Sequence, residues 1–217
     1  MVDAILSLPV IGEDNFYVFS GTQYCKVSFA DDEIKSGPHW ITSWWGTMKD
    51  AGFGRVDAVV PVPGCPNEFY AFFGGHYFRA SIDSAGDDKF NHGVFSIAKN
   101  WSLTDAGFDT VDAAVIDPSD NDNIYFFSGT KTLQYRFSTD KVVWGPHPIT
   151  EGWAALGEAG FDRIDAIFQK PGETNVYYVF RGNKYVRINW NGTAKESTIS
   201  RGVDLIQNQW MALKSWV

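Results

Sequence analysis

Apolar residues in this chain fall in short alternating runs broken by glycine, proline and acidic residues, and the order of those runs repeats. Runs of four to six such residues read as β-strands, because side chains alternate faces along a strand with period two. The first run is a β-branched residue, then Asp-Ala, then a small or branched apolar residue. It occurs as Val2-Asp3-Ala4-Ile5, Val56-Asp57-Ala58-Val59, Val111-Asp112-Ala113-Ala114 and Ile164-Asp165-Ala166-Ile167. A turn rich in Pro, Gly, Asn, Asp and Glu follows, and then an aromatic strand that stops at glycine: Phe16 to Gly21, Tyr70 to Gly74, Tyr125 to Gly129 and Tyr178 to Gly182. Glycine at one fixed place after an aromatic run marks a hairpin that needs positive φ.

A third strand carries Tyr, one residue, then a base: Tyr24 and Lys26, Tyr77 and Arg79, Tyr185 and Arg187. The third copy departs, reading as a longer hairpin (Thr130 to Leu133) before Gln134-Tyr135-Arg136. With Arg136 as its base, a small polar residue follows two positions on in every copy: Ser28, Ser81, Ser138 and Asn189. A fourth strand is announced by Gly37-Pro38-His39-Trp40-Ile41 and Gly145-Pro146-His147-Pro148-Ile149, with weaker counterparts at Gly93 to Ile97 and Glu196 to Ile199. Each copy closes with a Trp-bearing helical turn: Trp45 to Phe53, Trp101 to Phe108, Trp153 to Phe161, and a last one reaching Trp210 without the stop. Ala-Gly-Phe ends the first three, with glycine in the left-handed position after a helix. A period of 53 to 55 residues that consumes the chain predicts a closed repeat architecture. The fold expected is all-β, a four-bladed β-propeller with four antiparallel strands plus a short helix per blade. It forms one domain, 1–217, with blades at about 1–54, 55–109, 110–162 and 163–217.

Composition narrows the function. Hydrophobic residues at 44% and aromatics at 16% supply a packed core. The net charge of −8, without a basic stripe, argues against nucleic acid and against an anionic membrane surface. No apolar run is long enough for a membrane span. Two cysteines, Cys25 and Cys65, are too few for a disulfide framework and lack metal-site spacing; free thiols and no leader-like opening point to a cytoplasmic protein. Asn100-Trp101-Ser102 and Asn191-Gly192-Thr193 match the glycosylation sequon but read as chance matches without an entry signal. There is no HExxH, no G-x-S-x-G, no phosphate-cradling loop and no repeated nucleophile-base set, so an enzyme is not expected.

The Asp-Ala strand, the aromatic strand ending in glycine, the Tyr-x-base strand and the Gly-Pro-x-x-Ile strand together resemble the hemopexin-like repeat over the whole chain. In size and acidity the chain is similar to legume seed albumins of the albumin-2 type. The resemblance implies a four-bladed propeller around an axial channel, with faces that often pair into homodimers. Hemopexin domains of secreted proteins usually join the first and last blades by a disulfide. Here both cysteines lie in blades one and two, so closure must rest on packing, with Trp210 and Trp216 against blade one.

The innermost strand of each blade has an unpaired edge toward the axis. A one-in-two pattern aims the main-chain carbonyls of Asp3, Asp57, Asp112 and Asp165 inward, and with them those of Ile5, Val59, Ala114 and Ile167. Two rings of hard oxygens suit calcium or sodium, and the resemblance implies cations at these positions. The bland alternative is that the aspartates bond backbone groups of the next blade and the channel holds water. The Tyr-x-base residues read as salt bridges or stacking contacts between blades. His39, His147, Trp40 and Trp144 are the candidate ligand-binding residues, while His76 and His92 have weaker claims. The function expected is a non-enzymatic binding protein holding calcium or sodium in its channel, with a polyamine or haem as small ligand, both of which the resemblance suggests. The alternatives are a lectin with a defence role, stacking sugars on aromatic rings, or a storage albumin without a specific ligand.

Overall fold

The computed structural model describes residues 1–214 and 216. It contains four antiparallel sheets of four strands, each ordered as in sequence. Blade one is β1 (Ala4–Leu6), β2 (Asn15–Ser20), β3 (Gln23–Ser28) and β4 (Glu33–Trp40). Blade two is β5 (Ala58–Val62), β6 (Cys65–Phe73), β7 (His76–Ile82) and β8 (Asp88–Ser96). Blade three is β9 (Ala113–Ile116), β10 (Asn123–Ser128), β11 (Lys131–Arg136) and β12 (Lys141–Pro148). Blade four is β13 (Ala166–Gln169), β14 (Val176–Arg181), β15 (Lys184–Asn189) and β16 (Thr198–Leu205). The innermost strands β1, β5, β9 and β13 neighbour one another in a closed ring, with β13 returning to β1. Among the described residues no helix is long and apolar enough to cross a membrane.

Alternation along the strands builds the core. Leu6, Tyr17 and Phe19 face blade two, while Ile5, Phe16 and Val18 face blade four. Four apolar clusters result, one at each junction between neighbouring blades, and each holds one tryptophan from the same repeat position: Trp45, Trp101, Trp153 and Trp210. Trp210 packs on Phe16 and Phe29 of blade one as well as on Tyr178 and Phe180 of its own blade, and Trp216 Nε1 donates to Gln23 Oε1 at 3.3 Å. Closure by packing is therefore what the structure uses, and both cysteines are free. Burial pushes the Cys25 thiol up to about 12.

The helical segments are more numerous than the sequence suggests. A one-turn helix precedes each of the four tryptophans: α1 (Ile41–Trp44), α3 (Ile97–Asn100), α4 (Ile149–Gly152) and α6 (Ile206–Gln209). After the tryptophan come α2 (Gly46–Ala51), a 3-10 helix over Ser102–Ala106, and α5 (Ala154–Ala159). These three end on Gly52, Gly107 and Gly160 with φ of 73°, 78° and 71°, the left-handed stop expected.

Tryptophan has no acceptor with which to cap a helix, and the cap comes from the next blade. Asp88 accepts from the Gly46 and Thr47 backbone N–H groups (3.0 and 2.7 Å), Asp140 from Ser102 N–H (3.1 Å) and Ser197 Oγ from Ala155 N–H (3.1 Å). Asp32 closes the set by accepting from Met211 and Ala212 N–H at 2.8 and 3.1 Å. All four acceptors sit at the foot of a fourth strand. Asp32 and Asp140 hold φ of 50° and 51°, a conformation that aspartate tolerates better than most residues.

Three sequence readings are corrected. In the third blade the hairpin is as tight as in the others, since Ser128 pairs with Lys131 as Ser20 pairs with Gln23. Thr132, opposite Phe127, takes the tyrosine position, and Gln134, opposite Tyr125, takes that of the base. Arg136, opposite Asn123, therefore replaces the small polar residue. The volume vacated by the missing tyrosine goes to Trp144, whose ring lies 2.8 Å from where a Cβ on Gly152 would be. In the fourth blade the counterpart of Gly37 to Ile41 is Gly202 to Ile206, because Asp204 opposes Tyr185 as His39 opposes Tyr24; Glu196 belongs to a 3-10 turn. Third, the bases act within their own blades. Arg79 bonds Glu68 on the adjacent strand at 2.6 Å, Lys26 lies over Tyr17, and Arg187 bonds Ser200. A side chain directly across a strand pair is nearer than any on the next blade.

Replacing Asp32 by Ala removes the acceptor that joins the last blade to the first. A loss of about 1–2 kcal/mol and a melting temperature lower by roughly 3–6 °C are expected. An unchanged midpoint in D32A beside a lowered one in D88A would show that the ring closes without this contact.

Candidate functional site at the channel axis

Each inner strand is immediately preceded by its aspartate, and one carboxylate oxygen is fixed there. Asp3, Asp57, Asp112 and Asp165 accept through Oδ2 from the backbone N–H of Gly21, Gly74, Gly129 and Gly182, the first three at 2.6–2.7 Å. Those glycines are the hairpin residues of the same blade, with φ of 54–59°, so the positive φ that the sequence demands also turns an N–H toward the aspartate. The alternative that these side chains bond the next blade is thereby corrected: a carboxylate at the start of a strand reaches its own blade's β2–β3 type of turn first. The aspartate backbone N–H groups point the same way, donating to Phe19, Phe72, Phe127 and Phe180 carbonyls at 2.8–2.9 Å.

The four carboxylates are brought to one mouth of the channel, where with Arg55 they line a cavity of about 150 Å³. Burial, with the charges of Asp112 and Asp3 added, raises the Asp57 pKa above the usual carboxylate value. Burial followed by the charges of Asp3 and Asp112 does the same to Asp165. In both cases the hydrogen bond from glycine works against the rise.

Two residues further along, Ile5, Val59, Ala114 and Ile167 line a second cavity of about 680 Å³. This vestibule opens where the inner strands end. Its rim carries Glu13, Asp117, Asn121, Lys170 and Glu173, with Lys170 ion-paired to Glu173. Asp117 is buried, accepting from Ser119 at 2.8 Å and from Gln134 Nε2 at 2.7 Å. Among the described residues no three His, Cys, Asp or Glu side chains converge as a chelating set.

The candidate ligand-binding residues lie elsewhere. His39 and Trp40 end β4, and Trp144 and His147 lie on β12; both are outermost strands, three removed from the axis. The His39 ring stacks on Trp44 (centroids 4.4 Å) and takes a hydrogen bond with Ser36 Oγ at 3.0 Å. His147 packs on Trp144 at 4.5 Å. Trp40 is 58% exposed, whereas Trp144 is partly buried against the blade three–four cluster. The two histidines are thus separate features, and neither lines a channel cavity. His76 and His92 also stand outside both cavities. Sequence reasoning passed over Arg55 and the vestibule rim. The one available signal was position: Arg55 stands two residues before a ring aspartate.

A hemopexin family model matches residues 111–158, which span the strands of the third blade, α4 and nearly all of α5. No curated protein matches the chain. Among solved structures the chain is similar to a plant lectin with two metal binding sites from Cicer arietinum, at 23% identity and a TM-score of 0.88 over 100% of this chain and 98% of that one. It is similar to a plant albumin from Cicer arietinum showing hemagglutination, at 22% identity and a TM-score of 0.89 over 100% and 98%. A hemopexin fold protein from cow pea follows, at 21% identity and 0.87 over 99% and 97%. The fold is that of the four-bladed hemopexin propeller, as the repeats imply.

The raised carboxyl groups predict a pH dependence. A native pKa above the unfolded value means that the folded state holds more protons between the two values, so stability falls as pH rises through that window. In EDTA, the melting temperature of wild type should lose ground to a D57N/D165N variant from about pH 4 upward, since Asn keeps an acceptor for glycine N–H. A constant difference between the two across that range would contradict the repulsion at the mouth.

Proposed function

We propose that this hemopexin-fold chain is a non-enzymatic binding protein that holds a hard cation, calcium or sodium, on its axis. The observation that carries the reading is the convergence of Asp3, Asp57, Asp112 and Asp165 on one mouth, with a single basic residue, Arg55, lining it. The donor set fits. Four aspartates line the entrance, with no thiol or imidazole among them, and hard oxygen ligands suit Ca²⁺ or Na⁺ over Zn²⁺. Main-chain oxygens of the four aspartates, and of Ile5, Val59, Ala114 and Ile167, would hold the ion. The carboxylates contribute long-range charge, each being tied by one oxygen to its hairpin glycine. A linear polyamine is the organic cation that the same field would draw in. Haem is less favoured, because His39 and His147 already pack on Trp44 and Trp144 away from both cavities. The free thiols agree with a reducing, cytoplasmic compartment.

A carbohydrate-binding reading is supported by one separate feature. Trp40 and Trp44 are 58% and 61% exposed on blade one. At the matching strand and helix positions stand Ser96 and Asn100, Pro148 and Gly152, and Leu205 and Gln209. Three copies fold without tryptophan there, so packing does not require it.

A thermal melt in EDTA, then with Ca²⁺, spermine or hemin added singly, separates these ligands. A ligand bound only to the folded state raises the midpoint, by roughly 5–10 °C at a hundredfold excess over Kd for a chain of this size. A rise with Ca²⁺ is the expected result; no shift with Ca²⁺ or Na⁺ would remove the cation site. Sugar-inhibited agglutination lost in W44A would instead favour the carbohydrate reading.

A further inference from the structure

The carboxylate mouth breaks its own four-fold repeat at one place. The residue two positions before each ring aspartate is Met1, Arg55, Thr110 or Arg163. Arg55 lines the 150 Å³ cavity, and neither Thr110 nor Arg163 does. Its Nη2 stands 3.7 Å from Asp3 Oδ2, an ion pair that bridges blades two and one. The two partners are unequal: the Arg55 side chain is 57% exposed and that of Asp3 13%. A long, exposed cation is therefore hung from the rim over an Asp3 carboxylate that is nearly enclosed.

Exposed pairs of this kind contribute little to stability, and among the described residues Asp57, Asp112 and Asp165 form none, so folding does not account for Arg55. Its effect falls on whatever else carries positive charge into the mouth. A guanidinium remains protonated at any working pH, so it neutralises part of the carboxylate field permanently and no titration removes it. Unlike a free ion, it is present at fixed local concentration because it is tethered.

We propose that Arg55 is the chain's built-in competitor for the axial cation: its guanidinium occupies the carboxylate mouth in the ion-free protein and must swing outward for an ion to pass. The inference rests on the cation reading above and adds a residue that sets affinity. The rim, not the carbonyl rings, then decides how tightly this chain holds its ion.

The test is calorimetric titration with CaCl₂ of wild type, R55Q and R163Q at one fixed ionic strength. R163Q makes the same change of charge at the matching but non-lining position of blade four. R55Q is expected to bind Ca²⁺ roughly fivefold or more tightly than wild type, with R163Q close to wild type. The gain should shrink in high salt, where the Debye length falls to about 3 Å at 1 M. Binding by R55Q alone, with wild type silent, supports the proposal in its strongest form. Equal or weaker binding by R55Q beside a binding wild type overturns the role of Arg55 and leaves the cation site standing. Equal gains in R55Q and R163Q would reduce the effect to net charge and overturn it as well. Absence of binding in all three removes the site and the proposal together.

Discussion

A helix that begins on tryptophan cannot satisfy its own first N–H groups, and in this protein that deficiency holds the ring together. Trp45, Trp101, Trp153 and Trp210 each fill the apolar junction ahead of them, so the residue that would ordinarily cap the turn is committed to packing. Buried or half-buried N–H groups must find an acceptor somewhere. They find it on the next blade, at Asp88, Asp140, Ser197 and Asp32. Apolar packing and polar satisfaction thus require the same neighbour. A blade on its own would leave both its tryptophan and its helix terminus exposed, which makes assembly of four blades a condition for the structure of any one.

The axis follows the opposite logic. There each aspartate is satisfied inside its own blade, by the glycine of its own hairpin. What the ring imposes is proximity: four groups that are locally content become electrostatically frustrated once they share a mouth. Burial first, and then the charges of the other ring aspartates, raise the Asp57 and Asp165 pKa values. Perturbed carboxylates at a symmetric entrance are where a binding function is expected to reside.

Much of the fold could be read from the sequence because repetition supplies four versions of each signal. Gly21, Gly74, Gly129 and Gly182 could be assigned to positive φ from their shared place alone, and Gly52, Gly107 and Gly160 to helix stops. Reading failed where a copy drifts. Thr132 carries no aromatic to mark its register, so Arg136 reads as the repeat base, and Gly202 lacks the proline that flags Gly37 and Gly145. The interblade caps were invisible for another reason: Asp88 lies 42 residues beyond Gly46, and Asp32 lies 180 residues before Ala212, so no local pattern links them. Of the axial site, the aspartate ring was legible as a period. The glycine N–H that fixes each carboxylate, and the guanidinium at the rim, were not, because both depend on how separate segments meet in space.

The junction between blades four and one is built from the same parts as the other three: a tryptophan, an apolar cluster and a side-chain cap from the next blade. It differs in lacking a peptide connection and the glycine-stopped helix that follows the other three tryptophans. Since no disulfide marks that seam, nothing chemical distinguishes it as the natural opening of the circle. The architecture is therefore indifferent to where the polypeptide starts. A gene reordered to begin at blade two, three or four, with the original ends joined, would encode the same set of interblade contacts.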